Sequence, residues 1–257
     1  MDSKIERITL NIKGTSVNAM AFIPPTEEAK TDRFAIFTHG FTSHKGSILN
    51  WAARLSEENI PTIIFDQPGH FLGSYHDIES FELFKEIAPE FFVKAYDYLK
   101  SHYPSGATKL AIGGHSLGAL TSLMALEKDY FSGIDVTCIC VGFGLPPVGV
   151  THIFSTPFYK STLKLRGQLV SDNLSPDVVF PWIKEKKEEL EISRARIHFI
   201  TGDDDVVVGK DGSEKLAEFL EEQGNHVTIE KPKRLAHHVP ELAAPHVKKF
   251  LKDQSFL

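Results

Sequence analysis

Short apolar runs rich in β-branched and aromatic residues recur along this chain, and most are followed by a polar turn and a stretch with helical periodicity. The eight runs cover residues 5–12, 16–23, 34–38, 62–65, 109–112, 136–143, 196–201 and 227–230. Because strands that alternate with helices form a sheet covered by those helices, the pattern predicts an α/β fold. The first two runs flank a turn at Gly14 and predict an antiparallel hairpin. We therefore predict an eight-stranded, mostly parallel sheet flanked by helices.

Helical periodicity between the runs is clearest at residues 47–58, 117–127 and 212–222, where apolar side chains recur three or four apart. A further periodic stretch runs from Phe81 to Tyr98 but contains Pro89, which would break a hydrogen bond inside a helix. We predict a helix that has Pro89 in its first turn, preceded by a looser segment.

The stretch at residues 144–193, after the sixth run, departs from this alternation. It contains five prolines and many aromatic residues, and it ends in a run of charged residues. An insertion of this length between two strands usually carries function unless it is a linker. A cap over one end of the sheet is the favoured interpretation, and a plain surface excursion is the alternative.

The charge balance argues against nucleic-acid binding, since 28 Lys and Arg face 34 Asp and Glu, a net charge of -6. The apolar stretches are much shorter than the ~20 residues that cross a bilayer, and the N-terminal residues do not resemble a secretory signal. We therefore expect a soluble cytoplasmic protein without a membrane partner, and its oligomeric state stays open. Cys138 and Cys140 share one face of a strand and are expected to be reduced core residues.

The sequence Gly114-His115-Ser116-Leu117-Gly118 follows the fifth run and opens a helical stretch. A strand that turns abruptly into a helix comes so close to the neighbouring backbone that only glycine fits beside the central residue. This turn would hold Ser116 out at the end of the strand, next to a helix N-terminus that stabilises negative charge. The strand before the motif and the helix after it make Ser116 a candidate nucleophile.

A serine nucleophile needs a histidine to take its proton and a carboxylate to orient that histidine. No Asp or Glu occurs at residues 136–171, so the carboxylate cannot come from the loop after the sixth run. The candidates follow the seventh and eighth runs: Asp203, Asp204, Asp205, His237 and His238. Phe41 lies after the third run, where its backbone N–H can act as an oxyanion donor beside that of Leu117.

Over nearly the whole chain, apart from residues 144–193, the sequence resembles the α/β-hydrolase-fold serine hydrolases. The motifs that carry the resemblance are His39-Gly40-Phe41, Asp66-Gln67-Pro68-Gly69-His70, Gly114-His115-Ser116-Leu117-Gly118, Gly202-Asp203-Asp204-Asp205 and His238. Their order, Ser then Asp then His, is that of this fold. The resemblance implies a structural role for Asp66 and, for the acid, Asp205 as the fourth residue of a Gly-x-x-Asp turn.

The same resemblance favours His238 over His237 as the base, because Pro245 follows His238 at the interval common in related enzymes. Ser116, Asp205 and His238 can meet only if residues 1–257 form a single domain. Residues 144–193 would then form a cap within that domain.

The activity implied is hydrolysis of a small to medium carboxylic ester through an acyl-enzyme, with no metal or organic cofactor. A thioester is the nearest variant. An aminopeptidase or amidase of the same fold, and a ligand-binding member without activity, stay open because a triad does not separate esters from amides.

Apolar residues of the predicted cap and its root are expected to line the substrate pocket: Leu145, Phe158 and Trp182. Packing of the cap onto the sheet explains these residues equally well. Three residues are the only charged ones at positions 136–171: Lys160, Lys164 and Arg166. They could bind an anionic end of the substrate, but a solvated face of the cap is the favoured interpretation.

Overall fold

A computed structural model describes residues 3–145 and 157–257, apart from the side chains of residues 157–159. Within these residues eight strands form one sheet. The strands are β1 (Lys4–Ile12), β2 (Thr15–Ile23), β3 (Arg33–Thr38), β4 (Thr62–Phe65), β5 (Lys109–His115), β6 (Asp135–Val141), β7 (Arg196–Ile200) and β8 (His226–Glu230). Their order in space is β1-β2-β4-β3-β5-β6-β7-β8. The pairs β1/β2 and β2/β4 are antiparallel and all others are parallel, which confirms the predicted α/β architecture.

The parallel strands all end at the same edge of the sheet. In register, Thr38 of β3 lies opposite Gly114 of β5, and Gly114 lies opposite Cys140 of β6. The loops that follow β3, β5, β7 and β8 therefore meet at one edge, where ligands of open α/β sheets bind.

Helices cover both faces of the sheet. They are α1 (Leu49–Ser56), α2 (Phe81–Ile87), α3 (Glu90–His102), α4 (Leu117–Glu127), α5 (Pro157–Gly167), α6 (Pro176–Glu188), α7 (Gly212–Glu222) and α8 (Ala244–Asp253). On one face Phe84 of α2 and Phe91 of α3 are part of a large buried core. On the other face Trp51 of α1 and Val247 of α8 belong to a second buried cluster. The burial of apolar surface on both faces is what stabilises such a layered fold.

The segment before Pro89 differs from the sequence prediction, because it is the helix α2 and not a looser segment. Ser80 caps this helix, and its Oγ accepts a hydrogen bond from the N–H of Leu83 at 3.0 Å. Pro89 then stands immediately before α3, where its missing N–H costs no helical hydrogen bond. Two short helices on either side of one proline share a periodicity, so the sequence pattern did not separate them.

The chain between β6 and β7, residues 144–193, is called the β6–β7 insertion below. Its described part contains α5, α6 and the short 3-10 helix Asp172–Leu174. The N–H of Ser171 donates to the carbonyl of Gly69 at 2.9 Å, and Val170 forms an isolated antiparallel bridge with His70. These contacts tie the insertion to the loop that follows β4.

Two further observations concern burial and hydropathy. Cys138 and Cys140 are free and buried in β6, with their Sγ atoms 3.7 Å apart, as expected of reduced core residues. Over the described residues, no helix combines the length and the apolar character needed to cross a membrane.

Candidate active site

The turn between β5 and α4 holds Ser116 in a strained backbone conformation. Its φ is 51° and its ψ is -111°, a combination that costs a non-glycine residue about 1–3 kcal/mol and occurs mainly at functional sites. The turn packs against the end of β3, because a Cβ on Gly114 or Gly118 would lie 2.4 or 2.5 Å from the carbonyl oxygen of Thr38. Glycine is therefore required on both sides of Ser116.

Two backbone N–H groups are available next to this turn. The N–H groups of Phe41 and Leu117 donate to no acceptor among the described residues. Leu117 is the first residue of α4, and the first N–H groups of a helix have no partner within it. The two N–H groups that the sequence predicts as oxyanion donors therefore have no acceptor in the described part of the chain.

Asp205 follows β7, and its carboxylate is buried. Oδ1 accepts hydrogen bonds from the N–H groups of Val207 at 2.9 Å and Val208 at 3.0 Å. Oδ2 lies 2.9 Å from Nδ1 of His237. Burial by itself raises the pKa of Asp205, but the hydrogen bond and charge of His237, together with the two N–H groups, hold that pKa below its ordinary value.

The other two aspartates of this turn are exposed. Oδ1 of Asp204 accepts a hydrogen bond from the N–H of Leu235 at 2.8 Å, so Asp204 ties the turn after β7 to the loop after β8. Asp203 lies on the surface of the same turn. Within residues 3–145 and 157–257, Asp205 contacts a histidine and neither of its two neighbours does.

The histidine in that contact is His237, whereas the resemblance to α/β-hydrolase-fold enzymes favoured His238. The ring of His237 is largely buried and lies 4.7 Å from the ring of His115. His238 is exposed, and its ring is perpendicular to that of His237 at 5.6 Å. The expectation that His238 pairs with Asp205 is corrected, because the backbone of the loop after β8 turns the two adjacent side chains in different directions.

His238 is exposed but partly desolvated by its neighbours, and this desolvation together with the charges of His237 and Arg166 lowers the pKa of the His238 imidazole. His115 is buried beside the pair, and desolvation also lowers the pKa of its ring. Both effects favour neutral imidazoles around the Asp205–His237 pair.

Ser116 and His237 line two adjoining pockets, which we call the two lobes of the cavity. The larger lobe, of about 200 Å³, is bounded also by Thr42, Arg166 and Glu241. The smaller lobe, of about 50 Å³, contains Lys187. Its other walls include Gly142, Gly144, Ile183, Val207 and Val208. Phe41 and Phe180 line both lobes.

The β6–β7 insertion contributes to both lobes. Phe180 of α6 packs edge-on against Phe41 with ring centroids 5.3 Å apart. Nη1 of Arg166 donates to Oγ1 of Thr42 at 2.9 Å, next to Phe41. Arg166 thus lies at the cavity and not on the solvated face that the sequence indicated.

The pocket residues expected from the sequence have other positions. Trp182 packs against Phe81 and Phe84, with ring centroids 5.4 and 6.0 Å apart, and it does not line either lobe. Leu145 packs against the large core and also does not line them. The side chain of Phe158 lies outside the described residues. Lys187 was not expected at the site, because a lysine in a run of charged residues resembles a surface residue.

The loop after β4 carries a buried polar network that supports the site. The carboxylate of Asp66 accepts hydrogen bonds from the N–H and Nζ of Lys45, at 2.8 and 2.6 Å, and from Oγ of Ser74 at 3.1 Å. His39 accepts at Nε2 from the N–H of Gln67 at 2.9 Å, and burial lowers the pKa of His39 to about 3. Asp66 and His39 each have hydrogen-bond partners on both of their side-chain polar atoms, which suits a structural role. Among the described residues, no group of three His, Cys, Asp or Glu side chains could hold a metal ion.

Residues 35–208, more than half of the chain, match the model of the alpha/beta hydrolase family. The chain belongs to this family. The match confirms the resemblance that the motifs indicated. No curated protein sequence matches this alpha/beta hydrolase.

Several solved structures share its fold. An esterase from Pyrobaculum calidifontis is 16% identical with a TM-score of 0.66, over 99% of this chain and 86% of that chain. A fungal esterase from Rhizomucor miehei is 18% identical with a TM-score of 0.65, over 99% and 84% of the two chains. An epoxide hydrolase from Vigna radiata is 15% identical with a TM-score of 0.62, over 97% and 98%. Similarity at these identities shows the common fold, which hosts more than one chemistry.

Proposed function

We propose that this alpha/beta hydrolase is a serine hydrolase of small to medium carboxylic esters, with Ser116 as nucleophile, His237 as base and Asp205 as the acid that orients His237. The observation that carries the proposal is the 2.9 Å contact between Nδ1 of His237 and Asp205, beside a cavity that Ser116 also lines. His237 takes the place of His238, which the sequence favoured. The similarity to esterases in fold adds support.

The reaction begins with Nδ1–H of His237 donating to Asp205, which leaves Nε2 as the proton acceptor. Nε2 takes the hydroxyl proton of Ser116 as its oxygen attacks the ester carbonyl. The N–H groups of Phe41 and Leu117 bind the negative oxygen of the tetrahedral intermediate. In comparable sites each such donor stabilises the transition state by about 3–4 kcal/mol.

The first intermediate collapses when the bond to the leaving group breaks and His237 protonates the departing alkoxide. The acyl group remains on Ser116. A water molecule, deprotonated by His237, then attacks this acyl-enzyme. This second tetrahedral intermediate collapses when its bond to Ser116 breaks and His237 gives the proton to the Ser116 oxygen. The products are a carboxylic acid and the free Ser116 hydroxyl, and His237 is neutral again.

The β6–β7 insertion acts as a cap in this proposal, and residues 1–257 form one domain around it. Phe180 and Ile183 of α6 provide apolar walls next to Ser116. The proposed reaction needs neither a cofactor nor a partner other than a small ester. A cytosolic location and the lack of nucleic-acid binding remain predictions from the sequence.

Labelling with a fluorophosphonate probe tests the nucleophile. We expect the wild-type protein to be labelled at Ser116 and the Ser116→Ala variant to remain unlabelled. Ser122 of α4 is a buried serine on the same helix, so Ser122→Ala is the matched control and should retain the label. Labelling that persists in Ser116→Ala would overturn the assignment.

A substrate panel tests the bond that is cleaved. Turnover of p-nitrophenyl esters of increasing chain length is compared with that of the matching thioesters and aminoacyl anilides. We expect the short esters to be hydrolysed fastest, because the cavity beside Ser116 is small. Hydrolysis of anilides alone would favour an amidase, and absence of both labelling and turnover would favour a binding protein.

A further inference from the structure

A lysine side chain points into the smaller lobe of the cavity. Lys187 lies in the last turn of α6, and its Nζ donates a hydrogen bond to the carbonyl oxygen of Gly144 at 2.7 Å. The same Nζ lies 4.4 Å from the centre of the Phe143 ring. Desolvation lowers the pKa of Lys187 to about 8, so the ammonium form still predominates at neutral pH.

No carboxylate pairs with this ammonium among the described residues. Asp205 is the acid whose charge acts on Lys187, but its oxygens already accept hydrogen bonds from Val207, Val208 and His237. The undescribed residues 146–159 cannot supply one either, because they contain no Asp or Glu. The neighbouring Lys186, by contrast, forms an ion pair with Glu127 at 2.8 Å.

A largely desolvated ammonium without a counter-ion is costly, so its position beside a reactive serine indicates a ligand that provides the negative charge. Lys187 and Ser116 both line the smaller lobe, so a cation and the proposed nucleophile face the same small volume. Ile183, Val207 and Val208 give the same lobe apolar walls.

The sizes of the two lobes indicate which part of the substrate carries that charge. A water molecule needs about 10–15 Å³ of cavity, so the smaller lobe of about 50 Å³ accepts only a few atoms. The leaving group must depart while the acyl group stays on Ser116, and the larger lobe has more room for it. The acyl group therefore belongs in the smaller lobe.

We propose that the smaller lobe binds a short acyl group that ends in a carboxylate, with Nζ of Lys187 as its counter-ion. The preferred substrate class is then a half-ester, or the corresponding thioester, of a short dicarboxylic acid. This inference rests on the proposed function, since it assumes acyl transfer to Ser116. Arg166 is a second cation at the cavity, but it bounds the larger lobe together with Glu241.

The test compares two ethyl esters at pH 7, with ethanol release as the measurement. Ethyl hydrogen succinate carries the carboxylate, and ethyl 4-methylpentanoate has an uncharged end of similar shape. In the wild-type protein we expect kcat/KM to be at least about tenfold higher for the charged ester. In Lys187→Met, and in Lys187→Gln as a second variant, this ratio should fall to about one.

Two control variants test whether the preference for the charged ester depends on Lys187 and not on a neighbouring cation. Lys186→Met removes the adjacent lysine of α6 and should leave both the ratio and the activity unchanged. Arg166→Met should preserve the ratio. The inference is overturned if the wild-type protein shows no preference, if the preference survives in Lys187→Met, or if it is lost in Arg166→Met instead.

A binding measurement separates this inference from the proposed function. In the inactive Ser116→Ala variant, ethyl hydrogen succinate should raise the melting temperature and the uncharged ester should not. The further change Lys187→Met should abolish that shift. If the wild-type protein hydrolyses no ester but ethyl hydrogen succinate still raises the melting temperature of Ser116→Ala, the proposed function is wrong and the carboxylate site is supported. If the melting temperature of Ser116→Ala does not change, the carboxylate site is contradicted.

Discussion

The carboxylate of Asp205 is held in place by three hydrogen bonds, two from backbone N–H groups and one from His237. Its lowered pKa keeps it ionised at neutral pH, and an ionised Asp205 keeps the proton of His237 on Nδ1. Nε2 is then an acceptor. The contact with Asp205, and not the substrate, thus determines which ring nitrogen of His237 carries the proton.

The adjacent histidines provide a matched pair of variants. His237→Ala removes the ring bonded to Asp205, so we expect kcat/KM for an activated ester to fall by about 10³-fold or more. His238→Ala removes an exposed ring and should lower kcat/KM by less than about tenfold. Steady-state kinetics measure both, and circular dichroism checks that each variant is folded. If kcat/KM falls further in His238→Ala than in His237→Ala, His238 is the base and His237 is not.

Lys187 should lower the stability of the fold at neutral pH. Its pKa is about 8 in the folded protein and 10.5 in the reference state, so the folded state resists protonation of this amine. The resulting cost, at most about 3 kcal/mol, is fully present below pH 8 and disappears as the pH rises toward 10.5. We expect Lys187→Met to raise the free energy of unfolding at pH 7.

Urea unfolding at pH 7 and at pH 10 measures this effect. The gain in Lys187→Met should be several times larger at pH 7 than at pH 10. Lys186→Met is the control and should show no such gain, because Lys186 is paired with Glu127. Destabilisation by Lys187→Met at pH 7 would contradict the prediction.

At the scale of elements, the strand-turn-helix unit of β5 and α4 depends on its contact with β3. A Cβ on Gly118 would lie 2.5 Å from the carbonyl oxygen of Thr38. Because this oxygen belongs to the backbone of β3, it cannot move aside as the end of a flexible side chain can. The position of Ser116 is therefore set by the packing of two strands and one helix.

Gly118→Ala tests that packing. We expect it to reduce the free energy of unfolding by about 1–3 kcal/mol, because overpacking forces the backbone to shift. The rate of fluorophosphonate labelling should fall as well, since Leu117 and Ser116 would be displaced. Gly167→Ala is the control, because a Cβ there meets no atom closer than 3.9 Å. Equal stability of the two variants, measured by urea unfolding, would argue against the contact.

At the scale of the whole molecule, the site combines loops that are far apart in the chain. Phe41, Ser116, Asp205 and His237 follow β3, β5, β7 and β8, and the β6–β7 insertion adds Phe180 and Lys187. None of these loops could form the site by itself. The proposed single domain requires that sheet and insertion unfold together.

The two tryptophans of the chain can test whether the sheet and the insertion unfold together. Trp51 is buried in the second core cluster, and Trp182 lies in α6 of the insertion. Trp182→Phe leaves a reporter of the sheet layer, and Trp51→Phe leaves a reporter of the insertion. For a single domain we expect the fluorescence midpoint in urea to equal the circular dichroism midpoint within each variant. A lower fluorescence midpoint in Trp51→Phe would show that the insertion unfolds on its own.

The sequence by itself determined the architecture and the strand-turn-helix unit that holds Ser116. Strand and helix periodicities are local, so they located all eight strands to within a few residues, and α4 and α7 at their actual bounds. The Gly-x-Ser-x-Gly spacing is local too, since its glycines are required by one turn. The same local character explains the failure before Pro89, where one periodicity covered the two helices α2 and α3.

Only the tertiary structure decided how distant loops meet. His237 and His238 are neighbours of the same residue type, and nothing local separates them until the loop after β8 packs against Asp205. The same holds for the residues around the cavity, because Trp182 and Lys187 lie on one helix but on different sides of it. One packs against Phe81 and Phe84, and the other reaches Gly144 beside Ser116. Periodicity records that a side chain is apolar or charged, whereas its neighbour across the fold depends on the packing of the whole chain.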